Sequence, residues 1–153
     1  MMLERREVTR DTLHDLIRLS VRDDQPGLVT PNVVTLAEAP YETGSRVWGL
    51  WAGTRAVGLM AMVHPDLYRW HEPGDDTEAA YLWRLMIDRA EQGKGYGRAA
   101  LEQAVEVARE WDLPRVTAGV TDAPHSKLGF YEHFGFRRTG RIVGGEVEIS
   151  LTL

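Results

Sequence analysis

The chain contains no cysteine, which excludes a disulfide scaffold, thiolate zinc coordination and a cysteine nucleophile. It has no apolar run long enough to span a bilayer. Its opening residues, Met1-Met2-Leu3-Glu4-Arg5-Arg6-Glu7, lack the hydrophobic stretch of a secretion signal, so the expected location is the cytoplasm. Basic residues are the minority: 18 Lys and Arg against 23 Asp and Glu give a formal charge of −5. The net positive field that draws nucleic acid is missing, and neither nucleic acid nor membrane is expected as a partner. An acidic surface suits a cationic small molecule. No repeat, low-complexity tract or Ser/Pro linker breaks the 153 residues, a length that fits one domain over 1–153. What is present is a 43% hydrophobic content, enough for a core, and 27% charged residues for its surface.

Residues 2–8, ending in Val8, read as an edge strand. Thr9 is a good N-cap for a helix with Leu13, Leu16, Ile17 and Ser20 on one face. Val21 to Thr30, broken by Pro26-Gly27, reads as a loop. A short helix is expected over 33–43, burying Val33, Leu36, Ala37 and Ala39, with Pro40 disturbing its end. Val47 to Ala52 and Ala56 to Val63 form a hairpin around Gly53-Thr54. Residues 64–78 form a long loop of the kind that often carries function. Ala79 to Ile87 is apolar enough to be a central strand buried on both faces. An amphipathic helix follows the next glycine cluster, with Leu101, Ala104, Val105, Ala108 and Trp111 on its apolar stripe and Pro114 as its stop. Arg115 to Val120 is a strand and 126–134 a short helix ended by Gly135. Phe136 to Thr139 and Glu146 to Leu151 make a final hairpin around Gly144-Gly145. The sum is a mixed α/β domain.

Gly93, Gly95 and Gly97 stand between a strand and a helix start. Glycines there permit positive φ and let backbone N–H groups converge. The helix start adds unpaired donors and the positive end of its dipole, a combination suited to a pyrophosphate. Lys94 and Arg98 either add charge or are solvated surface residues. A nucleoside-triphosphate loop would need Ser or Thr after Gly93-Lys94, where Gly95 stands, and a dinucleotide fold would place the turn after its first strand. A tight turn without a ligand is the competing reading.

The order helical pair, hairpin, strand, Gln92-Gly93-Lys94-Gly95-Tyr96-Gly97, helix, strand, then a helix bearing Phe130-Tyr131-Glu132-His133-Phe134-Gly135-Phe136 resembles the GCN5-related N-acetyltransferase (GNAT) family. Its pyrophosphate motif, Gln/Arg-x-x-Gly-x-Gly/Ala, is matched at Gln92, Gly95 and Gly97, and its Tyr-x-x-x-Gly-Phe motif at Tyr131, Gly135 and Phe136. The resemblance covers essentially the whole chain and is strongest over 81–136. The segment 79–111 and the pattern at 32–39 resemble the small bacterial enzymes grouped with spermine/spermidine acetyltransferases. The resemblance implies a central, mostly antiparallel twisted sheet of about six or seven strands, splayed in the middle and flanked by about four helices.

The resemblance also implies acetyl transfer from acetyl-CoA directly to a primary amine. Pantetheine would lie between the strand ending at Ile87 and the strand starting near Arg115, with backbone groups of Leu85, Met86 and Ile87 bonding the cofactor. Residues Gln92, Gly93, Lys94, Gly95, Tyr96, Gly97 and Arg98 would hold its diphosphate. One backbone N–H would polarise the thioester carbonyl, where negative charge grows. Tyr131 is the implied general acid or thiolate-binding donor, since a phenol of pKa about 10 stays protonated at neutral pH and can donate to the departing thiolate; the competing reading is an aromatic packed against Phe134 and Phe136.

An acceptor amine with a pKa near that of lysine is neutral in only about one molecule in two thousand at pH 7, which costs about 4–5 kcal/mol. A base is therefore needed. Relatives often place a carboxylate on the strand before the glycine turn, whereas the same-face residues here are Tyr81 and Trp83. Glu78, Glu38 and Glu42 are the carboxylates to test. The first of these precedes that strand; the other two share a face if the helix continues past Pro40. Relatives often carry Asn before the Tyr131 helix, where this chain has Asp122-Ala123-Pro124-His125-Ser126; His125 either reaches the cofactor or is an ordinary loop residue. His64, His71 and His133 show no ligand spacing, and no metal is assigned. Glu38, Glu42, Tyr81 and Trp83, with Tyr41, Tyr68 and Trp70 nearby, suit a cationic acceptor through charge and cation–π contact. A polyamine or diamine is preferred over an aminoglycoside-like or streptothricin-like antibiotic or a peptide amine. Arg84 is expected to face away from Trp83 into a buried ion pair. The non-enzymatic alternative is a CoA-binding sensor or interaction module, which the missing strand carboxylate favours and Tyr131 opposes. The final hairpin is the expected pairing edge of a homodimer.

Overall fold

The computed structural model describes residues 2–21 and 29–153. The Pro26-Gly27 loop lies outside the described residues. Seven strands, β1 (Glu4–Glu7), β2 (Ser45–Ala52), β3 (Arg55–Val63), β4 (Ala79–Ile87), β5 (Arg115–Val120), β6 (Arg137–Val143) and β7 (Glu146–Thr152), form one sheet. Their order is β1-β2-β3-β4-β5-β7-β6. Every neighbouring pair is antiparallel except β4 and β5, which run parallel. Helices α1 (Leu13–Ile17), α2 (Asn32–Glu38), α3 (Tyr96–Glu110) and α4 (Leu128–Phe134) complete the chain. None of the described helices is long and apolar enough to cross a membrane.

The helices divide between the two faces. On one, α3 and α4 cover a large core built from Leu50, Met62, Leu82, Val116 and Ile149. The buried stripe of α3 is Ala100, Leu101, Ala104, Val107 and Ala108, so Val107 takes the place expected for Val105, which is half-buried. Burying Leu101 and Val107 completely stabilises the fold by about 1.5–3 kcal/mol each. On the other face α1 and α2 cover a smaller cluster centred on Leu16, Trp51, Leu59 and Met86.

α2 departs from the expected helix over 33–43. It ends at Glu38, a 3-10 turn covers Ala39–Tyr41, and Glu42 is extended; proline at 40 removes the N–H that an α-helix needs there. Its buried residues are Asn32 and Thr35; of the expected ones Leu36 packs half-buried on the α1 cluster and Ala39 is half-buried, whereas Val33 and Ala37 are exposed. Polar chemistry overrides the apolar pattern: the Asn32 side-chain amide donates to Leu16 O at 2.9 Å, and Thr35 Oγ1 accepts from Arg84 at 2.9 Å. At the N-terminal end, Thr12 and not Thr9 is the cap of α1.

β4 pairs with β3 from Tyr81 to Ile87, but with β5 only from Ala79 to Leu82. Beyond Leu82 the β5-facing edge of β4 has no strand partner, which is the expected splay. A bulge marks the parting: Leu82 and Arg84 sit opposite the consecutive residues Met62 and Ala61, leaving Trp83 as the extra residue. The bulge reverses which residues face α3. Ala80 and Leu82 face that core before it, and Leu85 and Ile87 do so after it. The expectation of a strand buried on both faces fails in this stretch, because Tyr81, Trp83, Arg84 and Leu85 border open space.

Candidate active site

The glycine turn follows directly from β4. Asp88 accepts from the backbone N–H of Ser20 at 2.9 Å, anchoring the strand end. A 3-10 turn at Arg89–Glu91 then brings the Glu91 carboxylate inward. Glu91 is buried and accepts from Arg55 Nε at 2.9 Å and Lys94 Nζ at 3.1 Å. These bonds, that from Arg55 first, hold its pKa below the ordinary carboxylate value. Gly93 and Gly95 have φ of +78° and +87°, conformations that only glycine adopts without strain. The first backbone bond into α3 runs from Ala99 N to Gly95 O at 3.2 Å. The N–H groups of Tyr96, Gly97 and Arg98 therefore have no acceptor within the helix and face outward at its positive end.

The side chains of this segment are engaged elsewhere. Gln92 Nε2 donates to Ile87 O at 3.0 Å, Tyr96 is buried with its hydroxyl 3.3 Å from Arg55, and Lys94 is held by Glu91. Arg98 lies 3.5 Å from Glu102 and over the Phe134 ring. What the turn offers a ligand is its main chain. Gly97 serves a different purpose from the other two glycines: it lies within α3, and the ring of Phe130 packs against it.

Where β4 and β5 part, a cavity of about 230 Å³ opens, bordered by Leu82 to Leu85, Val120, His125 and Tyr131. Leu85 thus reaches it, whereas the Met86 side chain belongs to the α1 cluster and the Ile87 carbonyl is taken by Gln92. Tyr131 is buried, with the rings of Phe130 and Phe136 edge-on to its own at 5.4 and 5.5 Å. Its hydroxyl has no hydrogen-bond partner among the described residues. Burial above all, then the charges of Tyr81 and Glu146, pushes the Tyr131 phenol well above its ordinary pKa.

A second cavity of about 310 Å³ lies alongside, walled by the 64–78 loop, β4, β5 and β7. Its aromatic lining is Tyr68, Trp70, Tyr81 and Trp83. Six carboxylates border it: Glu42, Glu72, Asp75, Asp76, Glu146 and Glu148. Two arginines answer three of them. Arg115 Nε donates to Asp76 at 2.7 Å, while Arg141 reaches Asp75 and Glu148 at 3.2 Å each. Glu42, Glu72 and Glu146 have no Lys or Arg partner among the described residues. Burial, then the charge of Glu146, pushes Tyr81 up to about 12. Burial and the charges of Glu42, Asp75 and Glu72 raise Tyr68 likewise.

The structure redistributes the expected acceptor residues. Tyr81, Trp83 and Glu42 line the acidic cavity, with Tyr68 and Trp70; Tyr41 is 81% exposed on the outside. Glu38 is removed from it: Arg84 donates to its carboxylate at 3.1 Å. This corrects the assignment of Arg84, which the bulge turns toward α2 while its guanidinium lies over the Trp83 ring. An ion pair forms, but it is exposed at Glu38 and not buried as expected, and it lies on the other side of the sheet. Glu78 is exposed and lies outside both cavities. Glu146 and Glu72 escaped the sequence reading. For Glu146 a signal existed, since Glu146 and Glu148 alternate with Val147 and Ile149 along β7 and so share the face opposite the core.

A fold with an open strand edge, a glycine turn at a helix start and a buried tyrosine beside the gap is shared with known proteins. The acetyltransferase (GNAT) family model matches residues 13–136, and the chain belongs to that family. It is 24% identical to human N-acetyltransferase 8B over 100 residues, 65% of this chain and 42% of that protein, so it spans less than half the relative's length. A crystal structure of an acetyltransferase from Thermus thermophilus superposes with a TM-score of 0.74 at 24% identity, covering 100% of this chain and 98% of that one. An aminoglycoside acetyltransferase AAC(6')-Ib, crystallised with coenzyme A, superposes with a TM-score of 0.75 at 17% identity, covering 99% and 95%. The likeness to these two structures is one of fold.

Proposed function

We propose that this protein transfers the acetyl group of acetyl-CoA to a primary amine of a small cationic acceptor, a diamine or polyamine. The observation that carries the reading is the meeting of two cavities at the gap between β4 and β5. One is bordered by the open edge of β4, the end of β5 and Tyr131; the other is acidic and aromatic. The residues present fit the cofactor. Outward amides of Tyr96, Gly97 and Arg98 suit a diphosphate, and the unpartnered edge of β4 at Trp83 to Leu85 suits the amide groups of pantetheine, as an added strand would.

Bound there, acetyl-CoA supplies an acyl carbon activated by its thioester. The chain's own residues do the rest. A main-chain N–H on the open β4 edge would stabilise charge on the carbonyl oxygen. The Tyr131 phenol, kept protonated by burial, would give its proton to the leaving sulfur. In the acidic cavity Glu42 and Glu72 would attract the acceptor's distal ammonium, and the rings of Tyr68, Trp70 and Trp83 would cover its methylene chain and cationic ends. Arg115 and Arg141 offset two of the three charges on Asp76, Asp75 and Glu148, leaving a limited negative charge that suits a small polycation. For the expected homodimer, β6 is the sheet edge available to a second copy, since β7 lies between β5 and β6.

The test is titration calorimetry with acetyl-CoA, followed by thiol release over a panel of polyamines, diamines, aminoglycosides and peptide amines. Binding with turnover on spermidine or 1,4-diaminobutane is the expected result. Binding without acetyl transfer to any amine would replace the enzyme by a CoA sensor, and no binding at all would remove both.

A further inference from the structure

The β4 side chains that line both cavities are Tyr81 and Trp83, neither of them a carboxylate, so the transferase reading needs a proton acceptor for the amine from another strand. The two cavities share five lining residues, Tyr81, Trp83, Ala118, Gly119 and Glu146. Only Glu146 among them carries a carboxyl group. It opens β7, and its side chain folds over Gly119 of β5: a Cβ built on Gly119 would stand 2.9 Å from Glu146 Oε1 and 3.4 Å from its Cβ. The missing side chain at 119 is what lets this carboxylate lie across the parting of β4 and β5. Glu148, two residues on, is held by Arg141 at 3.2 Å and by Thr139 Oγ1 at 2.8 Å. Glu146 is half-buried and has neither kind of partner among the described residues.

Resting on the transferase reading, we propose that Glu146 is the base that takes the proton from the acceptor ammonium at the junction of the two cavities. The proton balance is complete. The ammonium nitrogen loses one proton to Glu146, which passes it to solvent. The neutral nitrogen then forms the N–C bond while the C–S bond breaks, and the sulfur leaves with the Tyr131 proton. The second nitrogen proton returns to the Tyr131 phenolate, so one proton is released per turnover. Several groups share these cavities with Glu146. On the thioester side they are Tyr81 and Arg84 of β4, His125 and Lys127 before α4, and Tyr131. On the acceptor side they are Glu42, His71, Glu72, Asp75, Asp76 and Glu148. The pH profile therefore has to be compared between variants.

The experiment compares wild type, Glu146→Gln and Glu146→Asp. It uses spermidine, 1,4-diaminobutane and kanamycin as acceptors, over pH 7 to 9.5. Glu146→Gln is expected to lower kcat/KM for the amine by about 100-fold or more at pH 7. Its acetyl-CoA affinity should stay within about twofold, since only the proton acceptor has changed. The deficit should shrink as pH rises and free amine replaces ammonium, and Glu146→Asp should recover part of the rate. A folded Glu146→Gln enzyme with undiminished turnover, or a deficit constant across the pH range, overturns the assignment while leaving the transferase intact. A wild-type protein that releases no thiol with any of the three amines overturns both.

Discussion

Gly97 in the first turn of α3 lies directly against Phe130 of α4: a methyl group on it would approach the ring to 3.1 Å. Replacing a helical glycine by alanine ordinarily gains about 1 kcal/mol. Here that gain should be cancelled by the displaced ring, and Gly97→Val should lower the melting temperature. Because Phe130 abuts Tyr131 at 5.4 Å, the valine variant should also lose turnover. Thermal unfolding and a thiol-release assay on both variants check this; a clear stabilisation by valine would show that the two helices tolerate separation.

Gly95 precedes the same helix with φ of +87°. A β-branched side chain is disfavoured in that conformation and would crowd the space in front of the outward amides. Gly95→Val should abolish acetyl-CoA binding in calorimetry. Full affinity in a folded variant would separate the turn from the diphosphate.

Removing the Tyr131 hydroxyl should lower kcat by about 10²-fold or more, within the usual range for general acid–base catalysis, and leave acetyl-CoA affinity almost unchanged. Tyr131→Phe also relieves a buried hydroxyl of its desolvation, so its melting temperature should not fall. Steady-state kinetics beside unfolding curves provide the check, and wild-type turnover would take Tyr131 out of the proton path.

Glu42 borders the acidic cavity but not the thioester gap. Glu42→Gln should therefore raise KM for a diamine by about tenfold, as loss of an ion pair worth about 1 kcal/mol or slightly more would, with kcat preserved. The KM difference between wild type and variant should narrow in high salt, where charge attraction is screened. A fall in kcat at constant KM would assign Glu42 to the chemistry instead.

Acid stability follows from two carboxylates. Arg55, with Lys94, holds the pKa of Glu91 below its ordinary value, and Arg115 does the same for Asp76. A depressed folded-state pKa contributes stability that is present above the unfolded value and lost as pH falls through the folded one. The melting temperature should drop on acidification below about pH 4. Glu91→Gln should melt below wild type at pH 7, with the two curves converging toward pH 3. Parallel curves over that range would mean that the ion pair contributes nothing to the pH dependence.

The strands, α3 and both glycine-bearing motifs were legible because each depends on local rules: continuous β-rich apolar runs in β2 and β3 around a Gly53-Thr54 turn, a 3.6-residue period in α3, and proline or glycine stops. The parting of β4 from β5 was legible only through family resemblance, since no local signal announces where a parallel pair ceases to bond. Within the site, Tyr81, Trp83 and Glu42 were reached by strand parity and by charge. Glu38 was misjudged because its partner, Arg84, was assigned to the opposite face. Strand parity assumes a regular pleat, and the extra residue at Trp83 breaks that assumption invisibly. The buried face of α2 was misjudged for a related reason: Asn32 and Thr35 are drawn inward by hydrogen bonds to distant residues, which an apolar pattern does not record.

That one-residue pucker has a practical side. Anyone who wishes to install an acid on β4 and thereby relieve β7 of its task cannot count back from Met86 in twos, because beyond the bulge the count lands on Leu82 and Ala80, which face α3. Tyr81 lies ahead of the pucker and opens onto both chambers, which makes it the place to graft a replacement glutamate.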